Sequence, residues 1–520
     1  MKNQVQNGGS QKPAKEEGKV LRFLSAIERA GNKLPDPFML FIYLAVFIAI
    51  VSWVMSMLGV SVTTPENEVV EVNNMISTEG LTFALSSMLE NFTGFAPLGL
   101  VLVMMFGIGL AQHVGFFEVV MRGMVMNIPK SLVTYMIIFT GVLGNIASDA
   151  AMVIIPPLAA MIYYSIGKHP IAGLLTSFVA VSAGFTANFL IAGTDVLLSG
   201  ISTEVIQGQY SDARAVTPLD NWYFMAASTI MLVFVVSFVS KKLIEPRLGD
   251  YDPAFADKGI LNEQIEKLRP EQKRGVRNAL IAAGIYIILV SLLIVPSNGI
   301  LRGEEGTVIP SPFLSNIVPL ILILFIILAV SYGFTAGTLK KVSDIPEKMG
   351  IAMKEMSGFI VLVFAAAQFI AYFEWTNIST IIAVNGSIAL ENMNVTGIGA
   401  MVGFTLISAI VNLFITSGSA LWALLAPVFI PMFYQLGYDP AYTQVAFRIG
   451  DSAFNILSPM SPYVVMLLGF MKRYDKRAGL GTLMSLMLPF AVIILIAWII
   501  MFVIWSLLGL QVGPGVDIHL

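Results

Sequence analysis

Four ionisable residues stand where a chain built for lipid should not carry them. Asp149, Asp195, Arg448 and Asp451 lie within or beside long apolar runs. A charge near the bilayer centre costs a few kcal/mol or more, so such residues face a cavity and mark a substrate or ion path. Arg448 and Asp451 are three apart and Asn455 follows four later, which puts all three on one helical face. Two readings fit. In one, the pair is structural and fixes helix packing. In the other, the Arg448 fork receives a carboxylate while Asp451 or Asp195 carries a proton or helps to bind a cation. A hard cation needs oxygen ligands, and Asn145, Ser148, Asp149, Asn188 and Asn455 form the candidate Na+ set, with Ser417 and Ser419 close in kind. The same side chains would also satisfy backbone groups freed where helices break. Trp422 follows Ser419 by three, and its ring either packs on an aromatic ligand or fills space. Pro440 and Pro459 mark the start of a span and a break within it.

The elements that must hold these residues are membrane helices. Of 520 residues, 56% are hydrophobic and 12% charged, with a mean hydropathy of +0.81, a balance that belongs to an integral membrane protein. The net charge of −3 offers no basic surplus for nucleic acid. No cysteine is present, which excludes disulfides, thiolate nucleophiles and thiolate-held metals, and three scattered histidines do not build a metal centre. There is no HExxH, no GxxxxGK[ST], and the residues before Asp451 read Arg-Ile-Gly, so neither an intramembrane enzyme nor an ATP-driven pump is expected. The polar first 33 residues do not resemble a cleaved signal peptide.

Runs of about 20 apolar residues predict nine spans, at 37–59, 97–115, 170–200, 219–242, 278–297, 313–335, 356–374, 441–470 and 481–508. Residues 116–130 read as a helix lying at the interface. Two further apolar stretches, 131–166 and 397–436, are interrupted by GNIASDAA and NLFITSGSA. Lysine and arginine give the sidedness: 27 of the 30 fall on the side of the N-terminus, which is then cytoplasmic, Arg214 and Arg302 fall outside, and Arg448 lies within a span. Each interrupted stretch enters and leaves on one face. Two full crossings or a re-entrant hairpin both satisfy that parity, and arms of about 16 to 18 residues with polar tips favour hairpins.

The halves correspond at an offset of 270. Gly167-Lys-His-Pro170 matches Gly437-Tyr-Asp-Pro440, Pro157 matches Pro427, and Ser182-Ala183 matches Ser452-Ala453. The expected architecture is an all-α polytopic membrane protein, about nine transmembrane helices plus two re-entrant hairpins in an inverted repeat. Its parts are a cytoplasmic segment 1–36, a first repeat 37–242, a connector 243–312 with the linking span 278–297, a second repeat 313–508 and an external tail 509–520. Inverted repeats place the binding site near the midplane, where broken helices meet.

The strings SDAAMVIIPPLAAMI (148–162), AGTD (192–195), SGSALWALLAPVF (417–429) and RIGDSAFNILSPMSPY (448–463) resemble the AbgT family of bacterial transporters over nearly the whole chain. The resemblance implies secondary transport of p-aminobenzoyl-glutamate or related aromatic anions and antimetabolites such as sulfonamides, by an inner-membrane homodimer. It places Asp195, Ser419, Trp422, Pro440, Arg448, Asp451 and Pro459 along the pathway and the hairpin tips near a sodium site. No cofactor is expected beyond a bound Na+. A cation exchanger without organic substrate is the alternative. Alanine at Asp195 or Arg448 is expected to abolish transport and leave membrane expression intact.

Overall fold

The computed structural model describes residues 35–64, 68–126, 128–147, 149–257, 259–260, 267–303, 306–309, 311–393, 396–458 and 461–520. Ser148, Pro459 and the segment before residue 35 lie outside the described residues, as does the side chain of Asp149.

Helix α1 (Pro37–Met57) opens with Asp36 accepting from the Phe38 N–H at 2.9 Å and Pro37 at its first position, a start that satisfies one orphan donor and removes another. The chain then makes an excursion through a small antiparallel hairpin, β1 (Ser61–Thr63) on β2 (Val69–Glu71), and two short helices, Thr78–Ser86 and Met88–Thr93. Helix α2 (Ala96–His113) and the amphipathic α3 (Phe116–Val125) follow. The first interrupted stretch folds as α4 (Val133–Gly144), a 3-10 turn over Asn145–Ala147 and α5 (Asp149–Ser165). Next come α6 (Pro170–Ala183), α7 (Gly193–Gln209), α8 (Trp222–Val239) and α9 (Pro270–Ile294). The second half runs α10 (Ile317–Ala336), α11 (Asp344–Glu355), α12 (Ser357–Trp375), α13 (Ile378–Asn392), α14 (Ile398–Asn412), α15 (Gly418–Gln435), α16 (Pro440–Phe454), α17 (Pro462–Tyr474) and α18 (Leu480–Leu507).

Nine helical segments among the described residues are long and apolar enough to cross a membrane. The count agrees with the sequence, but the membership does not. The span 170–200, whose stretch AGFTANFLIAGTD (183–195) already reads as irregular, is broken: a 3-10 turn at Gly184–Thr186 and an extended run to Ala192 split it into α6 and α7. Gly184 and Gly193 bracket that run, and the hydropathy window averaged across it. In its place, α15, taken as a hairpin arm, is itself one of the nine. The linking span begins at Pro270 and not near 278, because its basic first turns continue the same helix. Two further helices, α11 and α13, were not anticipated, being too polar for a span.

The turn before α6 recurs before α16. Gly167 and Gly437 sit at φ 81° and 83°, a left-handed conformation that costs a side-chain-bearing residue about 1–2 kcal/mol. The N–H of Lys168 donates to Tyr163 O at 2.8 Å and that of Tyr438 to Phe433 O at 3.0 Å. Each helix then starts on a capped proline, with His169 Nδ1 accepting from Ile171 N–H at 3.3 Å and Asp439 Oδ1 from Ala441 N–H at 2.8 Å. Glycine also sets helix approach: a methyl at Gly141 would lie 2.7 Å from the Ala180 Cβ, and one at Gly450 would meet the α14 backbone at Thr405 and Ala409. Small residues let membrane helices close on each other where the hydrophobic effect supplies no drive.

Candidate transport site

The broken helices α6–α7 and α16–α17 meet at their interruptions, where Thr186 Oγ1 donates to Ser452 Oγ at 2.5 Å. A cavity of about 350 Å³ lies beside that contact. The α7 side contributes Thr194, Leu197 and Leu198, the break before α15 contributes Thr416, Ser417, Gly418 and Ser419, and α16–α17 contribute Asp451, Asn455, Ser461, Pro462 and Tyr463, with Phe185 and Thr186 closing it. Among the described residues, no lysine, arginine or histidine lines it.

Among the described residues of that wall, Asp451 is the only carboxylate. Its residue is 6% exposed, no side chain among the described residues bonds its carboxylate, and its oxygens approach Gly418. Ser417 caps α15, accepting from Ala420 N–H at 3.3 Å, and lies 3.1 Å from Ser419 Oγ. Asn412 Nδ2 donates to the Asp451 carbonyl, leaving its Oδ1 buried without a partner. Asn145, the matching residue of the first break, donates to Val181 O at 3.4 Å.

Of the two readings left open for Arg448, a structural pair with Asp451 is not what the fold makes. The Arg448 Nη1 donates to Asp195 Oδ1 at 2.7 Å, and both residues are buried at 2% and 0% exposure. Asp195 Oδ2 in turn accepts from the Ala192 N–H at 2.7 Å, tying the start of α7 to the middle of α16. Arg448 Nε has no partner. The i+3 spacing was real, but χ rotation sends the guanidinium across the helix interface to the unpaired carboxylate of α7, while Asp451 turns to the cavity.

The remaining sequence candidates divide. Ser417, Ser419, Asp451 and Asn455 come together on the cavity. Trp422 does not: fully buried, it donates through Nε1 to Leu198 O at 3.2 Å and Ser202 Oγ at 3.0 Å and packs on the Phe447 ring at 4.5 Å. Pro440 is the first residue of α16, eleven positions before Asp451, about 16 Å along a helix. Asn188 makes a local turn, its Oδ1 accepting from Leu190 N–H at 3.1 Å. The sequence reading missed Thr186, Thr194 and Tyr463, which no charge marks; their position next to a break was the available signal.

Comparison with known proteins now fits the geometry. The AbgT putative transporter family matches residues 22–520. The chain belongs to the AbgT family. It is 44% identical over 492 residues to the p-aminobenzoyl-glutamate transport protein of Escherichia coli K12, covering 94% of this chain and 96% of that protein. Among solved structures it superposes on the MtrF antimetabolite efflux pump of Neisseria gonorrhoeae with a TM-score of 0.90 at 39% identity, over 95% of this chain and all of that one. The YdaH transporter of Alcanivorax borkumensis gives 0.87 at 34%, over 92% and 100%. This AbgT protein is therefore a multi-pass membrane transporter, and its cavity is the place to look for its cargo.

Proposed function

We propose that the chain is a secondary active transporter of p-aminobenzoyl-glutamate or a related aromatic anion, antimetabolites such as sulfonamides included, coupled to a Na+ or H+ gradient. It works as a homodimer in the bacterial inner membrane with its N-terminus in the cytoplasm. The observation that carries this reading is the cavity at the broken helices, with Asp451 buried on its wall and its carboxylate unpartnered among the described residues. An ionised carboxylate there repels an organic anion, and a proton or Na+ that neutralises it makes anion and cation bind together. Asn455, Ser417 and Ser419 supply further oxygens beside it. The matched turns before α6 and α16 support an inverted repeat, as does the bond from Trp498 Nε1 to Ser228 Oγ, residues 270 apart, at 2.9 Å. The name of the E. coli relative supports the substrate.

Uptake of labelled p-aminobenzoyl-glutamate into proteoliposomes, with Na+ and pH gradients imposed separately, tests the reading. Uptake driven by one gradient and lost in Asp451→Asn is the expected result. Cation flux that no organic anion alters would instead identify a cation exchanger.

A further inference from the structure

A chain of buried hydrogen bonds begins at the cavity wall and runs away from it. The Trp422 Nε1–H donates to Leu198 O, on the wall, at 3.2 Å and to Ser202 Oγ at 3.0 Å. The Ser202 hydroxyl donates to Gln444 Oε1 at 2.6 Å, Gln444 Nε2 to Asn221 Oδ1 at 2.7 Å, and Asn221 Nδ2 to Ala441 O at 2.8 Å. None of the four residues whose side chains form it is more than 2% exposed. An indole N–H can only donate and a backbone carbonyl can only accept, so the two ends fix the direction of every bond between them.

The chain ties together the three helices that carry the cavity walls. Ser202 lies one turn beyond Leu198 on α7, Trp422 three residues beyond Ser419 on α15, and Gln444 seven residues before Asp451 on α16, about 10 Å along that helix. From the cavity all three helices lead the same way, towards the contact of Arg214 with Asp439. Farther out, Gln435 Nε2 donates to the Tyr210 hydroxyl at 3.1 Å and closes α15 on α7 again. Polar bonds between membrane helices hold them only modestly, since each group released to water finds a new partner there. A polar seam can therefore open and reclose, where an apolar one would expose hydrocarbon surface.

We infer that this chain is the gate that closes the cavity on the Arg214 side, and that Ser202 and Gln444 are positioning residues that hold the walls from α7, α15 and α16 together until it opens. The inference takes the cavity to be the substrate site proposed above. Alternating access moves one half of such a transporter against the other around a fixed site. A seam that joins α7 of the first half to α15 and α16 of the second must then break once in every cycle.

The chain has no cysteine, so single engineered thiols can be followed without background. Leu197→Cys places one on the cavity wall. Asp212→Cys, at an exposed position, marks the Arg214 side, and Ile138→Cys, fully buried, reports general loosening. Labelling by a membrane-impermeant maleimide is timed from each face of vesicles holding the full-length protein. From the face that labels Asp212→Cys, Leu197→Cys should react slowly. Ser202→Ala or Gln444→Met should speed that reaction about tenfold, the scale of one buried hydrogen bond left unmade, with no change from the opposite face and none at Ile138→Cys. The two substitutions together should act no faster than the stronger one alone, because both open one chain. Unchanged rates in both single variants, effects that multiply in the double variant, or equal acceleration from both faces or at Ile138→Cys overturns the inference. In the seam variants p-aminobenzoyl-glutamate should slow the labelling of Leu197→Cys. Chain-dependent labelling without that protection leaves the gate standing on a cavity that is not the substrate site; protection with chain-independent labelling keeps the substrate site and overturns the gate.

Discussion

Removing Asp195 strands a guanidinium that is 2% exposed and has no other carboxylate in contact among the described residues. An unpaired buried charge costs about 3–5 kcal/mol, so Asp195→Ala should lower the unfolding temperature in detergent as well as stop transport. The sequence alone suggested lost transport with intact expression; the 2.7 Å pair changes that expectation. Asp195→Ala combined with Arg448→Met should regain most of the lost stability without regaining transport. A double variant no more stable than the single one would show that the pair's energy lies elsewhere. Residue types named the charges correctly from the sequence. They did not name the partners, because a three-residue spacing fixes a helix face and leaves the reach of a long side chain to whatever packs beside it.

Helix starts were the most readable elements. Proline after a capping residue, as at Asp36-Pro37, His169-Pro170 and Asp439-Pro440, is local chemistry, and the helices begin there. One of these caps is an imidazole. Burial in the loop before α6 pushes the His169 imidazole down to about 4, and its Nδ1 must stay unprotonated to accept from Ile171 N–H. The unfolded chain therefore takes up the proton first, near its ordinary value of 6.5. Stability contributed by the neutral cap is complete above about 6.5 and is lost as the pH falls towards 4. His169→Asn keeps an acceptor at the cap and does not titrate, so its melting temperature should fall less than that of wild type between pH 7 and pH 5. Parallel curves for the two proteins would remove His169 as the cause. Breaks were harder to place than starts. The 3-10 turns at Gly184–Thr186 and Asn455–Leu457 sit inside apolar runs whose average hydropathy reads as a continuous span.

At the scale of the molecule, one arginine and the C-terminal residues hold the start of α16 in place. Arg214 bonds Asp220 Oδ2 at 2.5 Å and Asp439 Oδ2 at 3.1 Å. The Asp439 N–H donates to Ile518 O and the Leu520 N–H to Gly437 O, both at 3.0 Å, and the His519 ring lies 4.8 Å from that of Tyr438. Arg214→Gln should therefore speed hydrogen exchange in the first turn of α16 and leave α1 unchanged; uniform acceleration would mean global destabilisation instead. The sequence by itself determined the class of protein, eight of the nine membrane-length helices, the two interrupted stretches and the residues that cannot lie in lipid. These follow from transfer energies and caps, which act within a few residues along the chain. Only the tertiary structure decided that Arg448 pairs with Asp195, that the Trp422 ring is buried against Phe447, and that Asp451 faces a cavity beside the helix breaks. Those outcomes depend on how helices more than 200 residues apart in sequence approach each other, and no local preference encodes that distance.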